Sequence, residues 1–248
     1  MSRHLQTLFL LAVMSILFVL PTQAQVTTAS MSGTVMFQDE PVIGATIMAV
    51  HEPSGSNYGT ITNVDGRFSL QGMRTGGPYK VTISYVGYQS SVYTGIMLQL
   101  GETYNINAEL KESSELLDEV VITATKSKFS NEKTGATTNI SASQIAELPT
   151  INRSISDIAR ISPYASGMSF AGGDGRSTNF TIDGANFNNN FGLSDKLPGG
   201  GNPISMDAIE EVQVVVAPFD VRQTNFIGGG INAITKSGTN TFKGTAYA

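Results

Sequence analysis

Tyr79, Val81, Ile83 and Tyr85 share one parity of a short run, and Tyr104, Ile106, Ala108 and Leu110 share one parity of another. A side-chain period of two puts each set on one side of a strand and gives that strand a face to bury. From about Ala29 to Leu110 such runs are repeatedly broken by Gly, Pro, Asn and Asp, the pattern of a small all-β sandwich. The spacing predicts strands over 31–37, 45–51, 59–62, 67–70, 79–85, 88–93 and 104–110. Asn63-Val64-Asp65-Gly66 joins two of them, with Asp65-Gly66 tolerating the positive φ that a tight hairpin needs.

The chain has 248 residues and is 40% apolar, enough for ordinary cores and for more than one domain. Its net charge is −5 and its 15 Lys and Arg are scattered, so no basic patch is offered to phosphates and no nucleic-acid partner is expected. There is no cysteine, which removes disulfides and thiolate metal sites, and His4 and His51 are the only imidazoles. His51 is expected at the surface or a strand end without a metal role, since zinc needs three or four convergent ligands. No cofactor is expected.

Arg3 followed by the nearly unbroken apolar run Leu8 to Leu20 and by Pro21-Thr22-Gln23-Ala24 reads as an export signal over 1–24, cleaved before Gln25. The run is short of the roughly 20 apolar residues of a spanning helix. No cysteine follows the cleavage site, which argues against a lipid anchor. No later stretch is long and apolar enough to span as a helix, so any membrane residence must come from strands.

Beyond the sandwich, 111–128 reads as a solvated acidic tether, with Glu112, Glu115, Asp118 and Glu119 leading into the β-branched patch Val120-Val121-Ile122-Thr123. The residues alone leave two readings of that patch: a handle for strand addition by a partner, or an ordinary edge strand of the sandwich. From 129 to 236 the pattern is mixed α/β. Ser141 with Gln144 predicts a capping box opening a helix through Leu148, stopped by Pro149. A second helix is predicted near 152–160, with Ile151, Ile155 and Ile158 on one face, and a third from 207 to 211 before a strand over 212–216.

Candidate chemistry in this region is sparse. The run Asn186, Phe187, Asn188, Asn189, Asn190, Phe191 reads either as a ligand-facing loop or as a polar turn that satisfies its own backbone. Asp174, Asp183 and Asp195 lack the alternating oxygen spacing of a calcium loop and read as turn residues. Gly228-Gly229-Gly230 is not followed by GK[ST], so close backbone packing, here expected against a barrel wall, explains it better than phosphate binding. Glu210-Glu211 point in different directions, and no serine has a histidine near it in sequence, so no enzyme is expected.

Several of these segments resemble known families. Gly33-Thr34-Val35, Pro41-Val42-Ile43-Gly44-Ala45, Asp65-Gly66-Arg67-Phe68, Tyr79 to Val81 and Gly87-Tyr88 together resemble the carboxypeptidase-regulatory-like domain, a transthyretin- or Ig-like sandwich without catalysis. Ala208-Ile209-Glu210, Val212 to Val216, and Gly228 to Asn240 resemble the end of the plug domain of TonB-dependent outer-membrane receptors. Gly172-Gly173-Asp174-Gly175-Arg176, Ile182-Asp183-Gly184-Ala185-Asn186 and Pro218-Phe219-Asp220-Val221-Arg222 look most like the Oar-type receptors among them.

The resemblance implies a mainly β chain with a small α/β part: signal at 1–24, sandwich at 26–110, acidic linker at 111–128, plug at 129–236, and at 237–248 the start of a transmembrane β-barrel otherwise absent. In the last segment Phe242, Gly244 and Ala246 share one parity. It implies that Asp118, Glu119, Val120, Val121, Ile122, Thr123, Ala124 and Thr125 form a TonB box, the handle gripped by the periplasmic energy transducer TonB. The implied partners are that transducer, outer-membrane lipid through the full-length barrel, and a transported ligand of unknown identity. The expected function is the N-terminal part of an uptake receptor, in the outer membrane with its N-terminal domain in the periplasm. The rival readings are a secreted or surface β-module adhesion protein and a truncated gene product without a transport role.

Overall fold

The computed structural model describes residues 26–112, 120–123, 136–150, 153–188, 197, 202–217, 227–239, 241–242 and 244. The expected export signal therefore lies outside the described residues, as do Asp118, Glu119, Ala124 and Thr125 of the predicted box, and Asn189, Asn190, Phe191 and Asp195. No helix among the described residues is long and apolar enough to cross a membrane.

The first domain is built from β1 (Ala29–Phe37), β2 (Glu40–Pro41), β3 (Thr46–His51), β4 (Ser56–Ile61), β5 (Arg67–Met73), β6 (Gly76–Ser84), β7 (Tyr88–Gln89), β8 (Ser91–Leu98), β9 (Thr103–Glu109) and β10 (Lys111–Glu112). One sheet runs β2-β1-β5, with β9 also pairing β1 in parallel, and the other runs β8-β6-β3-β4 with a further strand, β11 (Val120–Thr123), beyond β8. Alternation decides what goes between them. Met31 and Val35 from β1, Ile47 and Ala49 from β3, Tyr79, Val81 and Ile83 from β6, and Ile106 and Ala108 from β9 form one buried cluster. Several observed strands run longer than the predicted ones: β6 begins at Gly76, and the run placed at 88–93 is two strands, the second reaching Leu98. Tyr85 falls past the end of β6 and is exposed, so the alternation stops at Ile83.

The predicted turn at Asp65-Gly66 is present, but it does not close a hairpin: the strands it joins, β4 and β5, belong to different sheets, so the chain crosses from one layer of the sandwich to the other. The Asn63 side-chain carbonyl accepts from the N–H groups of Asp65 and Arg67, and Gly66 takes φ +69°. A Cβ on Gly66 would come 2.6 Å from the Val35 carbonyl oxygen, so glycine is required by space as well as by conformation.

The second domain contains β12 (Ala136–Ser141), α1 (Ala142–Glu147), α2 (Ile155–Ala159), β13 (Ala165–Ser166), β14 (Ser169–Phe170), β15 (Asn179–Ile182), β16 (Ala185–Asn186), β17 (Ile209–Val216) and β18 (Gly229–Thr235). Its five-stranded sheet runs β12-β17-β18-β15-β16, parallel only between β15 and β18. The predicted cap of α1 forms, with Gln144 Oε1 accepting the Ser141 N–H at 3.0 Å. Helix α2 is shorter than predicted, but Ile155 and Ile158 are buried on one side as the period required. The third predicted helix is not one. Met206–Ala208 make a single 3-10 turn and the strand begins at Ile209, because pairing with β12 and β18 outweighs the helix propensity of Glu210-Glu211. The two glutamates do not point apart as expected: the register shifts between Ile209 and Glu211, and both reach the first domain, Glu210 lying against Gly76 and Glu211 bonding Leu100.

The glycine run packs inside this domain. A Cβ on Gly229 would lie 2.6 Å from the Cβ of Phe170, and one on Gly228 2.7 Å from the Phe170 carbonyl oxygen. The close approach expected against a barrel wall is therefore made to Phe170 of β14. The described residues after Lys236 carry no strand, and Phe242 is fully exposed. A barrel strand needs neighbours to pair its backbone groups.

Candidate functional site

Val120–Thr123, the described part of the predicted handle, is a strand on the rim of the sandwich. It pairs in parallel with β8, matching Val120 to Ser91, Val121 to Val92, Ile122 to Tyr93 and Thr123 to Thr94. It is the last strand of its sheet, and Ile122 is 38% exposed. Edge strands are commonly guarded by charged residues, proline or a bulge. This one has none of the three. These four residues occupy an edge-strand position of the sandwich's sheet. Each backbone hydrogen bond of such a strand is worth only about 0.5–1.5 kcal/mol net, so a short parallel rim strand is weakly held.

Strand β8 has a second attachment. Two residues beyond its end is Leu100, fully buried, and both of its backbone groups are bound by the second domain. The Leu100 N–H donates to the Glu211 carboxylate, 3.2 Å to Oε1 and 3.1 Å to Oε2. The Leu100 carbonyl accepts from Gln213 Nε2 at 2.9 Å. Glu211 and Gln213 share one face of β17, whereas Val212, Val214 and Val216 on the opposite face belong to the domain's core.

The polar face continues across the sheet. Asn139 of β12 is the register partner of Gln213, Gln213 of Asn232 on β18, and Asn232 of Thr181 on β15. Gln213 Nε2 donates to Asn139 Oδ1 at 3.2 Å, and Thr181 Oγ1 donates to Asn232 Oδ1 at 3.0 Å. Asn232 Nδ2 reaches out of the domain to the Val26 carbonyl at 2.9 Å. Glu211, Gln213, Asn232 and Thr181 are all buried, so this row needs its partners: a buried polar group left without one costs about 1–3 kcal/mol. Sequence reading missed the row because the strand was begun at Val212, which left Glu211 outside it. Glu211 and Gln213, at alternate positions, mark a polar face in the sequence but not its burial.

The other predicted site residues fall as follows. Asn186 Oδ1 accepts from the Asn188 N–H at 2.7 Å. Asn188 accepts from the Phe180 N–H at 2.6 Å and donates to Asn179 Oδ1 at 2.8 Å, so both asparagines serve the turn itself. Phe187 is partly exposed beside them. Asp174 bonds Arg176 through both backbone and side chain, and the arginine's hydrogen bonds hold its carboxyl below the usual range. Asp183 accepts from the Thr235 N–H at 2.9 Å and its hydroxyl at 2.7 Å, tying β18 to the β15–β16 turn. His51 ends β3 as expected but is buried, with Nδ1 2.6 Å from Ser54 Oγ and its ring 4.8 Å from that of Tyr79. Burial first, then the nearby Arg74 charge, lowers its pKa. No group of three or more His, Cys, Asp or Glu able to hold a metal occurs among the described residues.

Comparison with known proteins adds two findings. Residues 30–111 match the carboxypeptidase regulatory-like domain. Over 221 residues the chain is 27% identical to the TonB-dependent receptor SusC of Bacteroides thetaiotaomicron, an alignment covering 81% of this chain and 20% of that protein. Over 223 residues it is 22% identical to the TonB-dependent transporter Oar of Myxococcus xanthus, covering 84% of this chain and 20% of that protein. The chain thus spans about a fifth of the length of the curated relatives it matches.

Proposed function

From a chain that carries a carboxypeptidase regulatory-like domain and is homologous over most of its length to TonB-dependent receptors, we propose the N-terminal part of an outer-membrane uptake receptor. In this reading 1–24 exports the protein, the sandwich lies in the periplasm, and the second domain is the plug of a barrel. Asp118 to Thr125 is the TonB box, through which the periplasmic transducer draws energy from the inner membrane. The chain does no chemistry of its own, and its transported ligand is met by the plug loop around Asn186 to Phe191.

The observation that carries the reading is the edge position of Val120–Thr123. It is a short, unguarded β-strand between two folded domains, on a sheet edge where backbone pairing alone gives affinity. Strand addition explains why so plain a sequence suffices. The test is Val121→Pro in the full-length receptor, which removes a backbone donor and disfavours the strand. Energised uptake is expected to vanish with ligand binding retained. Undiminished uptake refutes the handle.

A further inference from the structure

Strand β8 stands between the handle and the second domain. Its Ser91 to Thr94 pair with Val120–Thr123, and the chain runs from its end at Leu98 through Gln99 to Leu100, where Glu211 and Gln213 bind both backbone groups. We infer that the sandwich is the handle's resident partner: Val120–Thr123 exchanges between β8 and the transducer's strand, and the clamp on Leu100 sets how firmly β8 holds it.

The inference rests on the handle reading and adds to it a competitor and a control. While the four residues stay paired to β8, a pull on them ends in the sandwich. For the pull to reach the second domain, the parallel rungs must open first. Their number is small and parallel pairing is the weaker kind, so an incoming strand can replace them rung for rung. The control is contiguous. β17 carries the clamp, Leu100 receives it, and β8 delivers its position to the handle, which has two discrete arrangements, paired and released. Loosening the clamp frees the end of β8 and shifts the handle toward release.

The chain has no cysteine, so one engineered pair can lock the strand without side reactions. Thr94 and Thr123 are register partners on neighbouring strands, and Thr94→Cys with Thr123→Cys is the pair chosen for the bridge. Binding of the purified periplasmic C-terminal domain of the transducer is measured to the oxidised and reduced forms of this one variant, so that folding is controlled internally. The oxidised form is expected to bind at least about tenfold more weakly. Equal binding overturns the exchange and means that the partner adds to the outer edge in place. Binding to neither form, nor to the unmodified chain, refutes the handle reading and the exchange with it. Hydrogen exchange at Val120–Thr123 tests the clamp without any transducer: Gln213→Leu is expected to speed it about fivefold or more, and unchanged exchange overturns the control by Leu100.

Discussion

The two domains bury their sheets in opposite ways. The sandwich faces its sheets toward each other and fills the space with its own side chains, Met31, Ile47, Tyr79, Val81, Ile83 and Ile106 among them. The second domain has one five-stranded sheet, whose apolar side packs on α1, α2 and the loops, and whose other side carries Asn139, Gln213, Asn232, Thr181 and Glu211. Part of that polar side bonds the backbone of Leu100 and Val26, which belong to the neighbouring domain's chain segment. A closed apolar core makes a domain self-sufficient, whereas a buried polar face makes it depend on whatever supplies the partners.

The largest effect expected from this difference comes from separating the two. Residues 26–123 alone should give a dispersed NMR spectrum and a cooperative melt close to that in the whole chain, while residues 136–239 alone should lose cooperative unfolding altogether. A cooperative melt of the isolated second domain at an unchanged temperature breaks the comparison. A smaller effect is expected from Gln213→Leu in the whole chain. It removes the 2.9 Å donor of the Leu100 carbonyl, which keeps the longer 3.5 Å contact from Asn139 Nδ2. The cost expected for such a loss is about 1–3 kcal/mol in denaturant unfolding. The loss should register in the second domain's transition, with the sandwich core unmoved.

The smallest effect belongs to His51, inside the self-sufficient domain. Burial lowers its pKa in the folded state below the 6.5 of the unfolded chain. Between those two values the unfolded chain binds more protons, so stability is full above about pH 6.5 and declines as pH falls through that window. His51→Gln should flatten the pH dependence of the denaturation midpoint between about pH 7.5 and pH 5, and an unchanged slope means that the ring carries no such linkage.

How much of this was legible in the sequence follows from the same contrast. In the sandwich each strand's alternation is answered within the domain, so Tyr79, Val81, Ile83, Ile106 and Ala108 could be assigned to a core from their spacing, and the Asp65-Gly66 turn from its chemistry, though not that it crosses between sheets instead of closing a hairpin. The carboxypeptidase regulatory-like resemblance was read from the same segment, and the family match covers it. In the second domain, burial on one face is decided by residues more than a hundred positions away. Nothing local distinguishes Gln213 as a buried donor from a solvated strand residue. Glu210-Glu211 looked helical for the same reason, since strand character there is set by pairing with β12 and β18. At the candidate site the β-branched patch was visible, but which edge it rests on was not, because a four-residue strand has no pattern that names its partner.

The parallel seating of β11 along β8 has a mechanical meaning. A load directed along the strand axis is shared by all its rungs at once, whereas a load directed across the axis opens them singly, beginning at one end. The same rim strand is therefore stubborn in one direction and compliant in another, so the angle of the tug governs how readily it comes away.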